Sequence, residues 1–148
     1  MEIKGIKFGL PICEDIWEST VLKKLCSSGA EIIIAINASP FTTSKSDERS
    51  SVTSLRVDEI KLPIIYLNRT GGQDELIFDG SSFALNHDGK KFYSSSEFKE
   101  ETSVVDFQKL NGKWIGTGKL NNSSSSEERL YKALVLGLRD YVNTVSYT

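Results

Sequence analysis

The chain is short of the residues from which many sites are built. Its 148 residues include one histidine, two cysteines, one methionine and three prolines. A lone histidine, His87, excludes any chemistry that needs two imidazoles. It stands in "NHDG", a hairpin-turn composition, and reads as a turn residue. Two cysteines, Cys13 and Cys26, make no disulfide framework and point to a reducing compartment. Positive charge is not in excess: 18 Lys+Arg stand against 20 Asp+Glu, a net charge of -2, so nucleic acid is not expected as a partner. No apolar run approaches the roughly 20 residues of a membrane helix. The opening "MEIKGIKFGL" has too short an apolar run for a signal peptide and no small-residue cleavage site. A cytoplasmic protein without membrane partners is the expectation. What remains is a hydrophobic content of 39% and a charged content of 26%, typical of a globular chain. A chain of about one domain's length buries about 68–70% of its unfolded surface, so a sizeable core is available.

The order of elements alternates through the first half. "IKFGLPIC", residues 6–13, reads as a strand. Residues 15–28 read as a helix, with Asp15 as its cap and Glu18 three positions on, as in a capping box. Val21, Leu22, Leu25 and Cys26 form its apolar face, which makes Cys26 a core residue. "EIIIAIN", 31–37, is apolar on both faces, as in a sheet covered on both sides. A loop over 38–46 precedes a helix over about 47–61, with Val52, Leu55 and Ile60 spaced for its apolar face. "LPIIYLN", 62–68, is a third strand.

The second half reads as hairpin strands over 75–79, 81–86, 91–95 and 102–107. "NNSSSS", 121–126, has flexible-linker composition, and 127–143 is an amphipathic helix with Leu130, Leu134, Leu138 and Tyr141 in a stripe. The fold class is α/β with a mixed sheet. Asp74, Glu75 and Asp79 read as turn and edge-strand residues. The Gly71–Gly72 pair lacks the spacing of a phosphate loop.

Cys13 is the candidate nucleophile. In open α/β folds ligands bind beyond the carboxyl ends of strands, and a strand-to-helix turn projects one side chain there. The first amides of the following helix face the same space, favour negative charge and supply an oxyanion donor; the N–H of Glu14 is the one expected here. Trp17, one turn on, would wall the pocket. An inert buried cysteine is the competing reading.

"LPICEDIWES" resembles the nucleophile elbow of the nitrilase superfamily, which hydrolyses carbon–nitrogen bonds. "GLPICEDIW", "IAINASPFTTSK", "LPIIYLNRTGGQDELIFDGSSFAL" and "ERLYKALVLGLRDYV" together resemble the glutaminase domain of glutamine-dependent NAD synthetases. The resemblance implies part of an α-β-β-α sandwich over 1–120. It implies that 121–148 is a linker and the start of a helix leading to a synthetase domain. Cys13 matches the nucleophile that attacks glutamine's side-chain amide, and Ser39 and Lys45 match glutamine-binding positions. A hydroxyl and a cation suit a free amino acid, whose charged groups must be satisfied when bound. The family's glutamate base and lysine precede the cysteine, and only twelve residues do so here. No "SGGxDS" pyrophosphate-binding signature follows. The expectation is therefore the later half of a glutaminase domain, incomplete alone. It would hold no cofactor or metal, with ATP and Mg belonging to the synthetase domain. Glutamine, an upstream segment or the synthetase domain, and further copies of the chain are the expected partners. The alternatives are a non-catalytic remnant and part of another nitrilase-type amidase.

Overall fold

The computed structural model describes residues 1–145. The chain runs β1 (Glu2–Ile3), β2 (Ile6–Gly9), a 3₁₀ turn (Cys13–Ile16), α1 (Ser19–Ser27), β3 (Ile32–Asn37), α2 (Lys45–Ile60), β4 (Ile64–Asn68), β5 (Thr70–Gln73), β6 (Leu76–Asp79), β7 (Phe83–Leu85), β8 (Lys91–Ser94), β9 (Asp106–Leu110), β10 (Lys113–Thr117) and α3 (Ser126–Thr144). Six strands make one mixed sheet in the order β1-β2-β3-β4-β7-β8, while β5–β6 and β9–β10 are separate two-stranded ribbons. β2, β3 and β4 run parallel; β1, β7 and β8 are antiparallel to their neighbours. The α/β class with a mixed sheet is thus the observed one.

One sheet face is covered by α1 and α2. Ile33, Ala35, Ile64, Tyr66, Phe83 and Leu85 meet Ile16, Leu22 and Val57 there. The other face is covered by the β9–β10 ribbon over Ala84, Phe92 and Tyr93, and in part by the stretch 99–105 beside it. Asn86 clamps that ribbon: its Oδ1 accepts from the Gly116 N–H at 2.6 Å and its Nδ2 donates to the Gly116 carbonyl at 3.1 Å. Gly116 is obligatory at this contact, because a Cβ there would sit 2.3 Å from the Phe92 ring. Elsewhere the face is open. Ile34, Ile65 and Leu67 line a cavity of about 390 Å³, and Ile12 and Ile36 are exposed. So β3, read as buried on both faces, is fully covered on one.

Several boundaries differ from the pattern-based expectation, each for a local reason. The strand expected over 6–13 leaves the ladder after Gly9, since Pro11 has no N–H to donate; Ile12 still bridges Ile36 in parallel. "TGGQ", outside the expected strands, is a strand. Gly72 lies under α3, where an added Cβ would meet the Gly137 Cα and the Asp140 Cβ at 3.3 Å. The strand expected over 102–107 lies at Asp106–Leu110, and β10 was not foreseen. The turn between them is Asn111–Gly112, both at positive φ, the type I′ signature.

The helices differ in which face they bury. The inner face of α2 is Arg49, Thr53, Arg56 and Val57, while Leu55 is exposed. The stripe of Leu130, Leu134, Leu138 and Tyr141 is likewise the exposed face of α3, which packs on the β5–β6 ribbon through Ala133, Leu136 and Gly137. The stretch before α3, of linker composition, is tied down. Asn121 exchanges hydrogen bonds with Ser94, and the Ser124 N–H donates to Glu97. Cys26 is half-buried rather than core, and partial burial pushes its thiol up. His87 lies in the β7–β8 turn. No helix among the described residues is long and apolar enough to cross a membrane.

Candidate active site

Cys13 opens the 3₁₀ turn at φ +49°, a left-handed conformation that a β-carbon disfavours by roughly 1–2 kcal/mol. Its neighbours hold it there. The Asp15 carboxylate accepts from the Ile12 N–H at 2.8 Å, and the Asp15 N–H returns to the Ile12 carbonyl at 3.1 Å. This corrects the capping-box reading: Asp15 fastens the elbow, and α1 begins only at Ser19, with Glu18 at its N-cap making no side-chain cap bond. Arg56 reaches up from α2 and donates to the carbonyls of Ile16 and Trp17, each at 3.2 Å, satisfying the far end of the same turn. Strain of this kind persists only where surrounding contacts over-determine it, and it is concentrated at functional sites.

The parallel pairing of β2 with β3 brings the elbow and the loop after β3 to one end of the sheet. Cys13, Glu14, Trp17, Asn37, Ser39, Pro40 and Lys45 line a common cavity of about 290 Å³. The residues singled out from the sequence are therefore together. Lys45 sits at the first position of α2, its Nζ 2.9 Å from Glu48 and 4.7 Å from the centre of the Trp17 ring. That contact holds the Glu48 carboxyl below its ordinary range.

The wall formed by Ser39 and Pro40 rests on groups that the sequence patterns did not single out. Asn68, at the end of β4, pairs with the backbone of Ser39: Oδ1 accepts from its N–H at 2.8 Å and Nδ2 donates to its carbonyl at 3.2 Å. Arg49 donates from Nε to Ser39 Oγ at 3.1 Å and from one terminal nitrogen to the carbonyls of Ser39 and Pro40, at 2.7 and 2.9 Å. Its other terminal nitrogen meets Asp79 Oδ1 at 2.8 Å. Asp79 ends the edge strand β6, as expected, yet is wholly buried, and its second oxygen accepts from Ser81 at 2.7 Å and faces Arg129 of α3 at 3.6 Å. Tyr66 lies in the same layer, stacked on Phe83, with its buried hydroxyl beside the Ser39 side chain. Burial pushes that phenol up, with Arg49 and Ser39 opposing the shift. One signal in the sequence could have found Arg49 and Arg56. They stand seven apart around Thr53, on the face of α2 that turns inward.

Gly71 and Gly72 form a strand packed against α3, and among the described residues no three His, Cys, Asp or Glu side chains converge as metal ligands.

Fold and site define a class: a mixed α/β sheet carrying a strained cysteine at a strand-to-helix elbow, facing a cavity built by the next loop. The chain belongs to the carbon–nitrogen hydrolase family, whose model matches residues 1–115. It is similar to the glutamine-dependent NAD(+) synthetase of Rhodobacter capsulatus, 38% identical over 100% of this chain and 27% of that one. The glutamine-dependent NAD+ synthetase of Acinetobacter baumannii, solved with ADP, superposes with a TM-score of 0.87 at 33% identity, over 97% of this chain and 27% of that one. A carbon–nitrogen hydrolase from Helicobacter pylori G27 shares the fold with a TM-score of 0.62 at 20% identity, over 96% of this chain and 50% of that one. The chain thus spans about a quarter of the synthetases it matches.

Proposed function

We propose that this chain is the nucleophile-bearing part of the glutaminase domain of a glutamine-dependent NAD synthetase. The observation that carries the reading is the convergence of Cys13, Ser39 and Lys45 on a common cavity at the carboxyl end of the parallel strands. The similarity to the synthetases along the whole chain supports the substrate. The Cys13 thiolate attacks the side-chain amide carbon of glutamine. The oxyanion is met by the N–H of Glu14, and collapse of the intermediate expels ammonia and leaves a γ-glutamyl thioester. Water then adds to the thioester and releases glutamate. Ser39 and Lys45 hold the amino acid's charged end, a hydroxyl and a cation in a cavity partly walled from water.

Two proton transfers remain to be supplied. Protonation of the leaving ammonia needs an acid and activation of water needs a base, and one carboxyl group alternating between the two forms would serve both. Among the described residues the one carboxylate lining the cavity is Glu14, adjacent to the nucleophile itself. The glutamate and lysine come from outside this chain, from a segment that covers the open sheet face of Ile34, Ile36 and Leu67. ATP and Mg belong to a separate synthetase domain that consumes the ammonia.

The test is complementation. The chain is assayed for ammonia release from L-glutamine alone and when co-expressed with the N-terminal part of a similar synthetase's glutaminase domain. Turnover is expected only in the pair, with glutamine preferred over asparagine, and it disappears in Cys13→Ala. Steady release by the chain alone would show that it holds its own base. Turnover in the pair that survives Cys13→Ala would remove the nucleophile assignment.

A further inference from the structure

We propose that Arg56 is a positioning residue: it fixes the cysteine elbow onto α2, so that Cys13 and Trp17 keep their places against Lys45. This deepens the reading of the cavity as an amide-hydrolase site and rests on it. The elbow has two ends. The Asp15 carboxylate, accepting from the Ile12 N–H at 2.8 Å, closes the first. The second is held by a residue forty positions away. Arg56 donates from Nε to the Ile16 carbonyl and from one terminal nitrogen to the Trp17 carbonyl, each at 3.2 Å. Its other terminal nitrogen meets Glu59, one turn on along α2, which fixes the fork from behind. Arg56 is 8% exposed, so these charge-assisted bonds are largely shielded from water. A planar fork on two adjacent carbonyls sets direction as well as distance, which a point donor does not.

What the fork holds faces the cavity. α2 grips Trp17 at two points: Arg56 on its carbonyl, and Lys45 Nζ 4.7 Å from the centre of its ring. Lys45 opens α2 and Arg56 lies near its other end, so one helix spans both contacts. Cys13, Trp17 and Lys45 line the same cavity. Cys13 stands at φ +49°, a conformation that persists only while the contacts around it hold the turn. The distance from the thiol to the Lys45 ammonium is thus set through Arg56. Ile16, wholly buried in the core, anchors the turn independently, so removing the fork shifts the elbow without unfolding the chain.

The experiment uses the full chain and measures Cys13 alkylation by iodoacetate and by iodoacetamide, which differ in the charge of the group brought up to Lys45. Cys26 is read in the same sample. Arg56→Met is expected to lower the ratio of the iodoacetate rate to the iodoacetamide rate at Cys13 by about three- to tenfold, the range of one charge-assisted hydrogen bond at a partly open site. Both rates at Cys26 should stay the same. Arg56→Lys should recover part of the ratio. Lys45→Gln should lower it as far as Arg56→Met does, and Lys45→Gln/Arg56→Met no further. An unchanged ratio in Arg56→Met, or losses that add in the double variant, overturns the role of Arg56 and leaves the cavity reading standing. An unchanged ratio in Lys45→Gln overturns both. The backbone gives a second readout that a general weakening of the fold does not move. With Arg56 in place, Cys13→Gly should exceed Cys13→Ala in folding equilibrium constant by about fivefold, and in Arg56→Met by less than about twofold, because the released turn no longer holds position 13 at positive φ. The same difference in both backgrounds overturns the proposal. If Arg56→Met does not fold, Glu59→Gln decides, since it loosens the same fork: a smaller drop in the Cys13 ratio is expected, and no drop overturns the proposal.

Discussion

Replacing Asp79 by asparagine should be among the most damaging single-atom changes available in this chain. The carboxylate is 0% exposed and opposes an arginine that is 1% exposed, at 2.8 Å. With the charge removed, the Arg49 guanidinium stays buried with only neutral acceptors, Ser39 Oγ, two carbonyls and the new amide oxygen, and no anion in contact. Breaking a buried pair from one side typically costs about 3–5 kcal/mol, because the surviving charge is uncompensated. Asparagine keeps the acceptor facing Arg49, and Arg129 retains Glu97 at 3.1 Å, so the lower part of that range, about 3 kcal/mol, is the expected loss. Against a total stability of about 5–15 kcal/mol for a domain, this shifts the urea midpoint substantially. The assay is equilibrium urea unfolding followed by tryptophan emission, with Trp17 on the cavity as reporter. Arg49→Met should cost a similar amount, and Arg49→Met/Asp79→Asn should cost less than the two singles together by about 1–3 kcal/mol, the coupling of contacting residues. A loss below about 1 kcal/mol in Asp79→Asn, or strict additivity, would refute the view that this pair is a coupled, desolvated unit.

Three further outcomes are expected. The Lys109 ammonium and then the Trp114 indole N–H hold the Glu31 carboxyl down at about 2, against an ordinary 4.5. A carboxyl whose value falls on folding stabilises the fold above its unfolded value and loses that effect as pH drops. The urea midpoint of Glu31→Gln should therefore lie below that of the unaltered chain at pH 6, and the gap should close between pH 4.5 and 2; a gap independent of pH removes the link between β3 and the β9–β10 ribbon. At the elbow, Cys13→Gly should be more stable than Cys13→Ala by about 1 kcal/mol in thermal unfolding, since glycine adopts positive φ without strain; equal stabilities would mean the turn relaxes. The chain should self-associate with rising concentration in sedimentation, through the open sheet face and the Leu130–Leu134–Leu138 face of α3, and a monomer at all concentrations would show that neither face seeks cover.

How much was legible can be judged element by element. The strand "LPIIYLN" and the helix over 127–143 were visible because apolar period and length agree for them, and "NHDG" because turn chemistry is local. The second ribbon was half missed although Asn111–Gly112 announces a type I′ hairpin. In α2 the spacing misled at Leu55, which faces solvent: the inner face joins Val57 and Ile60, which pack on the core, to two arginines that satisfy carbonyls. "FDG" reads as a turn because Asp-Gly favours one; only the approach of α2 and α3 from distant parts of the chain makes Asp79 the centre of a buried charge cluster.

By itself, the sequence determined the alternation of strands and helices through the first half and the strand-to-helix turn at Cys13, while Ser39 and Lys45 were singled out through the family resemblance. These are written in short contiguous stretches, where local sterics and side-chain chemistry decide. The tertiary structure alone decided how the cavity is held. Arg49 lies thirty residues from Asp79 and Asn68 twenty-nine from Ser39, and each is an ordinary polar residue until folding removes it from water. Desolvation gives such pairings their strength and geometry, and no pattern along the chain records which distant partner will be met inside.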